Sequence, residues 1–273
     1  MRIRVGVLQM HIALGDAKKN RESMEKWMAR VHVPSDIPTA IVVPELWNTG
    51  YALDRAKELA DPEGRESAAF LGQLARKYGV WFTGGSVLVS TAGGFANRAQ
   101  VVNPRGELVA AYDKVHLIRL MDEEKYFTGG RKDCLFDLEG ARAGCVICYD
   151  IRFCEWIRTY ALRGTEVLFV SAQWPMSRVD HWKALLRARA IENQMYVVAC
   201  NRSGTSGDTV FGGGSMILGP KGEVLFEGGE GEEAGFASLD LKAVGDIRNF
   251  LTVFKDRVPE IYEIHTKQEG KMK

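Results

Sequence analysis

Apolar and polar positions along the chain alternate between two periods, one of two residues and one of three to four. Residues 3–9 are apolar and β-branched enough for a central strand, and Asp16 stands where it can cap an amphipathic helix running to about residue 31. Residues 40–47 form an apolar run that ends on a carboxylate, Glu45, with Pro44 stopping any hydrogen-bond ladder just before it. A second helix over 67–78 places Phe70, Leu71, Leu74 and Tyr78 on one face, and residues 80–89 return as a strand. Strand alternating with helix predicts a largely parallel sheet with helices on a face.

From 95 to 114 the pattern changes to two extended runs around the turn Asn103, Pro104, Arg105, Gly106, and the second run gives out at Lys114. Residues 116–130 carry several charges with no sustained period and read as a long functional loop. The short apolar run Cys145, Val146, Ile147 then delivers Cys148 to a break at Tyr149, Asp150 and Arg152, after which the pattern turns helical. A strand over 167–170, a helix over 180–194 and a strand over 195–200 follow, and the hairpin of 101–114 recurs over 216–229 with the same Pro, basic, Gly, Glu turn. This doubling predicts an α/β fold in which residues 1–253 form one domain of two sheets stacked face to face with helices outside. Residues 254–273, charged and aromatic, are expected to form an arm over a neighbouring subunit.

Composition narrows the partner. The 273 residues carry 36 basic and 35 acidic side chains, so neither a nucleic-acid nor an anionic-membrane footprint is implied, and a small molecule is the expected ligand. No apolar run approaches the roughly 20 residues that span a bilayer, and the first ten residues read as a strand rather than a signal peptide, so a cytoplasmic protein is expected. Five scattered cysteines, an odd number, argue for reduced thiols. Cys145 and Cys148 are spaced as a CxxC pair, but no second Cys or His pair sits at ligand spacing, so no metal site is expected.

In α/β sheets ligands gather outside the carboxyl ends of strands, and Glu45, Lys114 and Cys148 all stand where a strand gives out. Their chemistry fits together. Backbone N–H groups of the bend and the positive end of the following helix are expected to favour the Cys148 thiolate as nucleophile. Glu45 suits the role of base that takes the thiol proton and returns one to a leaving amine. An oxyanion would find charge on Lys114 and a hydrogen bond from the backbone N–H of Tyr149.

The strings VVPELWNTGY, YDKVHL, GCVICYDIRF and HWKALLRARAIENQ resemble the blocks of the nitrilase, or carbon–nitrogen hydrolase, superfamily over residues 3 to about 253. The resemblance implies a four-layer αββα sandwich with an internal pseudo-two-fold repeat, a Glu45, Lys114, Cys148 triad, no metal or organic cofactor, and homodimers that extend the sandwich. It also implies a second glutamate in the loop after the lysine, positioning substrate; Glu123 matches it, with Glu124 next door. Within the superfamily, YDKVHLIRLMDEEKYFTGG and SAQWPMSRVDHWKALLRARAIENQ look most like the ω-amidases, which hydrolyse the side-chain amide of 2-oxoglutaramate or 2-oxosuccinamate. Such a substrate carries a carboxylate far from its amide, and Arg178 is the first choice of donor. Tyr51, Trp47 and Trp174 sit just beyond strand ends and could wall the pocket.

His116 and His181 could be read as bases, but the family mechanism has no histidine, and His181 is assigned to capping or packing. Glu192 would face inward if Leu185, Ala188 and Arg189 do, as a buried partner for strand-end backbone or for Lys114. Two competing readings remain: a related hydrolase of N-carbamoyl amines, aliphatic amides or nitriles, and a catalytically silent scaffold of the same fold.

Overall fold

The computed structural model describes residues 1–31 and 34–262. Its first sheet has seven strands, with the order Glu233–Asp240, Arg2–Gln9, Thr39–Val42, Trp81–Thr91, Gly94–Val102, Leu108–Asp113 and the two-residue strand Asp61–Pro62 pairing beside Trp81–Thr91. The second has six, with the order Val224–Glu227, Met216–Leu218, Tyr196–Asn201, Val167–Ala172, Ala141–Ile147, Leu135–Leu138. Each sheet has three parallel strands at its heart, flanked on one side by one antiparallel strand and on the other by an antiparallel hairpin. The doubling read from the sequence is therefore a doubling of topology. It has one difference: the lone antiparallel strand is local in the second sheet, whereas in the first it is Glu233–Asp240.

The sheets face each other across one apolar layer. Val5, Val7 and Val42 of the first pack in the same buried cluster as Val146, Val170 and Val197 of the second. Helices Ala17–Val31 and Arg65–Tyr78 cover the outer face of the first sheet with Met24, Met28, Phe70, Leu71 and Leu74. Helices Cys154–Leu162 and Val179–Asn193 cover the second with Ile157, Tyr160, Trp182, Leu186 and Ala190. The result is the four-layer αββα sandwich. Asp16 caps the first helix as expected, its Oδ1 accepting the Lys19 N–H at 2.9 Å.

Three elements differ from the sequence reading. The strand expected over 40–47 ends at Val42, so Glu45 stands in the turn beyond it. The loop 116–130 contains two short helical turns, Arg119–Met121 and Glu123–Tyr126, the second of which presents Glu123 inward. The expected arm over 254–273 is described only as far as Tyr262, in a short turn at Pro259–Ile261, and its remainder lies outside the described residues. No helix among the described residues is long and apolar enough to cross a membrane.

Candidate active site

Both sheets deliver a residue in the left-handed region just past a central strand. Leu46 (φ 44°) follows Glu45, and Cys148 (φ 45°) opens the tight turn Cys148–Arg152. A side chain held there costs free energy that the surroundings must offset, and such positions concentrate at sites of function. At Leu46 the offset is visible: its N–H reaches Ser86 Oγ at 2.8 Å, and the next N–H, of Trp47, reaches the Ser86 carbonyl at 2.9 Å.

These turns bring Glu45, Lys114, Glu123 and Cys148 together in a place almost without solvent. Lys114 Nζ donates at 2.8 Å to Glu45 Oε1 and at 2.8 Å to Glu123 Oε1, with all three side chains fully buried. An ammonium has three protons, so one remains for a ligand. Glu45 Oε1 also accepts from Asn97 Nδ2 at 2.8 Å and from the Tyr51 hydroxyl at 2.9 Å, and its Oε2 accepts the Gln173 backbone N–H at 2.9 Å. Glu123 Oε1 also lies 2.8 Å from the Tyr51 hydroxyl oxygen, and its Oε2 accepts the N–H of Ile118 at 2.8 Å. Glu124 is exposed, which resolves the choice between the two neighbours as far as placement goes.

Electrostatics follow from the burial. It works against the Lys114 charge, but the carboxylates of Glu123 and Glu45 more than offset it and raise the lysine above its ordinary value. Burial and the neighbouring Glu45 charge push Glu123 up. Cys148 is pushed well above the ordinary thiol, by burial first and by Glu45 next, with Lys114 opposing. Lost hydration and a facing carboxylate thus favour the thiol, opposing the bend and helix end that were expected to favour the thiolate.

Next to the cluster in the chain, through Ile118 and Tyr149, is a cavity of about 470 Å³ lined by Arg119, Arg152 and Arg178 together with Leu117, Leu120 and Phe153, with no carboxylate among the described residues of its wall. Ile118, also in the wall, is the residue whose N–H holds Glu123. Arg152 lies over the Trp174 ring at 4.7 Å, and the Trp174 indole N–H donates to the Arg178 carbonyl at 2.7 Å. Trp174 therefore supports two arginines of this cavity. Among the described residues no group of three or more His, Cys, Asp or Glu is placed to hold a metal ion.

Other expected site residues lie elsewhere. Trp47 is fully buried against Phe70, at 5.6 Å between ring centroids, because the turn at Leu46 swings it to the outer face of the first sheet; it walls no pocket. Glu192 does not meet Lys114. The buried face of its helix is Trp182, Leu186, Arg189, Ala190 and Asn193, rotated from the phase that put Ala188 inside, so Glu192 stays half-exposed and pairs with Arg189 at 2.8 Å. His181 is exposed rather than capping, since the helix begins earlier, at Val179.

Three residues of the site were not singled out from sequence. Asn97 donates to Glu45, and its carbonyl accepts the Lys114 N–H at 2.9 Å, which sets both side chains in one register. Gln173 sits one residue past Val167–Ala172, the strand-end position that marked Glu45 and Cys148, and could have been found by that rule. Arg202 is fully buried with no described carboxylate paired to it, and donates to Gln173 Oε1 at 3.0 Å; the amide so oriented donates to the Glu45 carbonyl at 2.6 Å.

Comparison with known proteins identifies the family. The chain is 41% identical over 262 residues to the 2-oxoglutaramate amidase of Bacillus subtilis, covering 96% of this chain and 100% of that one. It is 31% identical over 237 residues to the omega-amidase NIT2 of Homo sapiens, covering 84% and 86%. The crystal structure of XC1258 from Xanthomonas campestris, a CN-hydrolase superfamily protein with an arsenic adduct in its active site, superposes with a TM-score of 0.88 at 26% identity, covering 94% and 98%. The carbon–nitrogen hydrolase family model matches residues 4–249, nearly the whole described sandwich, and the chain belongs to that family.

Proposed function

We propose that the protein hydrolyses the ω-amide of small 2-oxo acid amides, with 2-oxoglutaramate giving 2-oxoglutarate and ammonia, through a thioester on Cys148. The observation that carries this reading is the buried meeting of Glu45, Lys114 and Cys148, with a cavity whose charged lining residues are all arginines reached through the neighbours Tyr149 and Ile118. A linear substrate with an amide for the cluster and a carboxylate for the arginines suits this pair of features. The names of the B. subtilis and human relatives support the same substrate class.

In this reading Glu45 takes the proton of the Cys148 thiol as sulfur attacks the amide carbon. The carbonyl oxygen gains charge and meets the third proton of Lys114 and the N–H of Tyr149, which lies in the first turn of Cys148–Arg152 where N–H groups lack helical partners. The C–N bond then breaks, Glu45 returns its proton to nitrogen, and ammonia leaves a thioester. Glu45 next takes a proton from water as the water oxygen attacks the thioester. The C–S bond breaks, sulfur recovers a proton, and the carboxylic acid departs. Glu123, bonded to Lys114 and Ile118, positions the amide.

The test is ammonia release from 2-oxoglutaramate, 2-oxosuccinamate, glutamine, an N-carbamoyl amino acid, a simple amide and a nitrile, with wild type and Cys148→Ala. Cysteine-dependent turnover favouring the 2-oxo amides is expected. Preference for the carbamoyl compound or the nitrile would overturn the substrate, and turnover that survives Cys148→Ala would overturn the mechanism.

A further inference from the structure

Tyr51 holds its hydroxyl oxygen 2.9 Å from Glu45 Oε1 and 2.8 Å from Glu123 Oε1. A phenol has one proton, so it donates to one of these oxygens and presents lone pairs to the other. With both carboxylates ionised, one contact would set oxygen against oxygen at hydrogen-bond distance with no hydrogen between them, between side chains that are fully buried. The charge count points the same way. Two carboxylates, one ammonium and a thiol leave one uncompensated negative charge in a buried cluster, and one added proton removes it.

We infer that Glu45 and Glu123 share one extra proton through Tyr51. It resides on Glu123, whose Oε1–H donates to Tyr51 Oη while the Tyr51 O–H donates to Glu45 Oε1. The asymmetry lies in the other partners. Glu45 also accepts from Lys114, Asn97 and the Gln173 N–H, whereas Glu123 also accepts only from Lys114 and the Ile118 N–H, so the negative charge is better solvated on Glu45. Tyr51 is then a positioning residue that keeps Glu45 the ionised member of the pair and therefore the base. Its phenol can serve because burial, with Glu123 and Glu45 beside it, holds its proton far more tightly than usual. The titratable groups facing the bridge are Glu45, Lys114, Glu123 and Cys148. The inference deepens the proposed hydrolysis and rests on it for its meaning in catalysis.

The proton can be observed without turnover. Infrared difference spectra of Cys148→Ala protein carrying carbon-13 glutamate carboxyls are expected to show a protonated-carboxyl stretch at neutral pH. It should vanish in Cys148→Ala combined with either Glu123→Gln or Glu45→Gln, because removing either carboxylate removes the excess charge. Added Tyr51→Phe should shift the stretch to higher frequency and its titration midpoint to lower pH, since the acid loses its acceptor. If one variant fails to fold, the others still decide. No protonated stretch at neutral pH, a stretch that survives both glutamine substitutions, or one unmoved by Tyr51→Phe would overturn the bridge. The stretch behaving as expected in a protein that turns over no amide would support the bridge and retire the reaction. Turnover without the stretch would do the reverse.

Discussion

The carboxylate of Asp150 closes on His116, taking its backbone N–H at 3.1 Å and ring Nδ1 at 2.8 Å. The same buried carboxylate takes the Ile147 N–H at 2.9 Å and the Tyr112 hydroxyl at 2.8 Å. His116 lies just beyond Lys114, and Ile147 just before Cys148, so one side chain ties the lysine's strand end to the cysteine's turn. Asp150→Ala leaves these donors without an acceptor and is expected to cost about 3–5 kcal/mol. Misplacing the two strand ends should also lower kcat by roughly 100-fold or more. Asp150→Asn keeps the volume and one acceptor and should cost less. Thermal unfolding and kcat of both variants check this; an Asp150→Ala protein with unchanged melting temperature and kcat would show that the tie does not position the site.

The thiol state of Cys148 has a consequence that runs against intuition. Burial and the Glu45 charge hold its pKa above the ordinary value, so modification by iodoacetamide should be slow near neutral pH and accelerate as pH rises. Glu45→Gln removes the Glu45 charge, a larger raising cause than the Glu123 charge then left ionised, and keeps the opposing Lys114 charge, so the thiol pKa falls. That variant should lose amide hydrolysis and yet be alkylated faster at neutral pH. The pH profile of alkylation, followed by intact mass, measures it, and a slower or unchanged neutral rate in Glu45→Gln would contradict the assignment of cause.

What could be read from the chain was whatever depends on position along a strand. Glu45, Lys114 and Cys148 all stand at strand ends, and the structure places all three in one cluster. What could not be read depends on direction and burial. Trp47 follows Glu45 by two residues, yet the positive φ of Leu46 sends it into the core behind Phe70. Glu192 was misplaced by a phase error of one residue in a helix whose arginines and apolar residues are mixed. Asn97 looked like an ordinary strand residue, because only the register of Gly94–Val102 aims it at Glu45. The burial that pushes the Cys148 thiol up could not be judged from neighbours in sequence.

Arg119, Arg152 and Arg178 share one cavity with no carboxylate among the described residues of its wall. If they receive the acid end of the substrate, Arg152→Met and Arg178→Met should each raise KM for 2-oxoglutaramate, by about 10- to 150-fold where a charge-assisted hydrogen bond is lost. Hydrolysis of a simple amide should change little. Steady-state kinetics on both substrates distinguishes this from general damage, which would depress the two together.

Arg202 is buried without a paired carboxylate, and burial brings its pKa down to about 10. Its guanidinium holds Gln173 Oε1 at 3.0 Å, the Ser203 carbonyl at 3.2 Å and the Ile12 carbonyl at 3.0 Å. Arg202→Met leaves these acceptors unmet and is expected to lose about 2–4 kcal/mol of stability. Gln173→Leu should lower kcat with a smaller loss of stability, because the Glu45 carbonyl loses its amide donor while Oε2 keeps the backbone N–H. Denaturant midpoints and kcat for the two variants check the division, and a Gln173→Leu enzyme with full kcat would place the amide outside the machinery.

The pairing of Arg2–Gln9 with Glu233–Asp240 has a consequence for biosynthesis. Arg2–Gln9 leaves the ribosome long before its antiparallel neighbour exists, so it waits with one edge open through most of translation. Both sheets need each other's faces to bury their apolar layer, and the cluster around Lys114 draws side chains from both. The first sheet is therefore complete only after this long-range strand pair has closed. A nascent chain released before Glu233–Asp240 is made would display an unpaired strand edge and would depend on chaperones to stay out of aggregates.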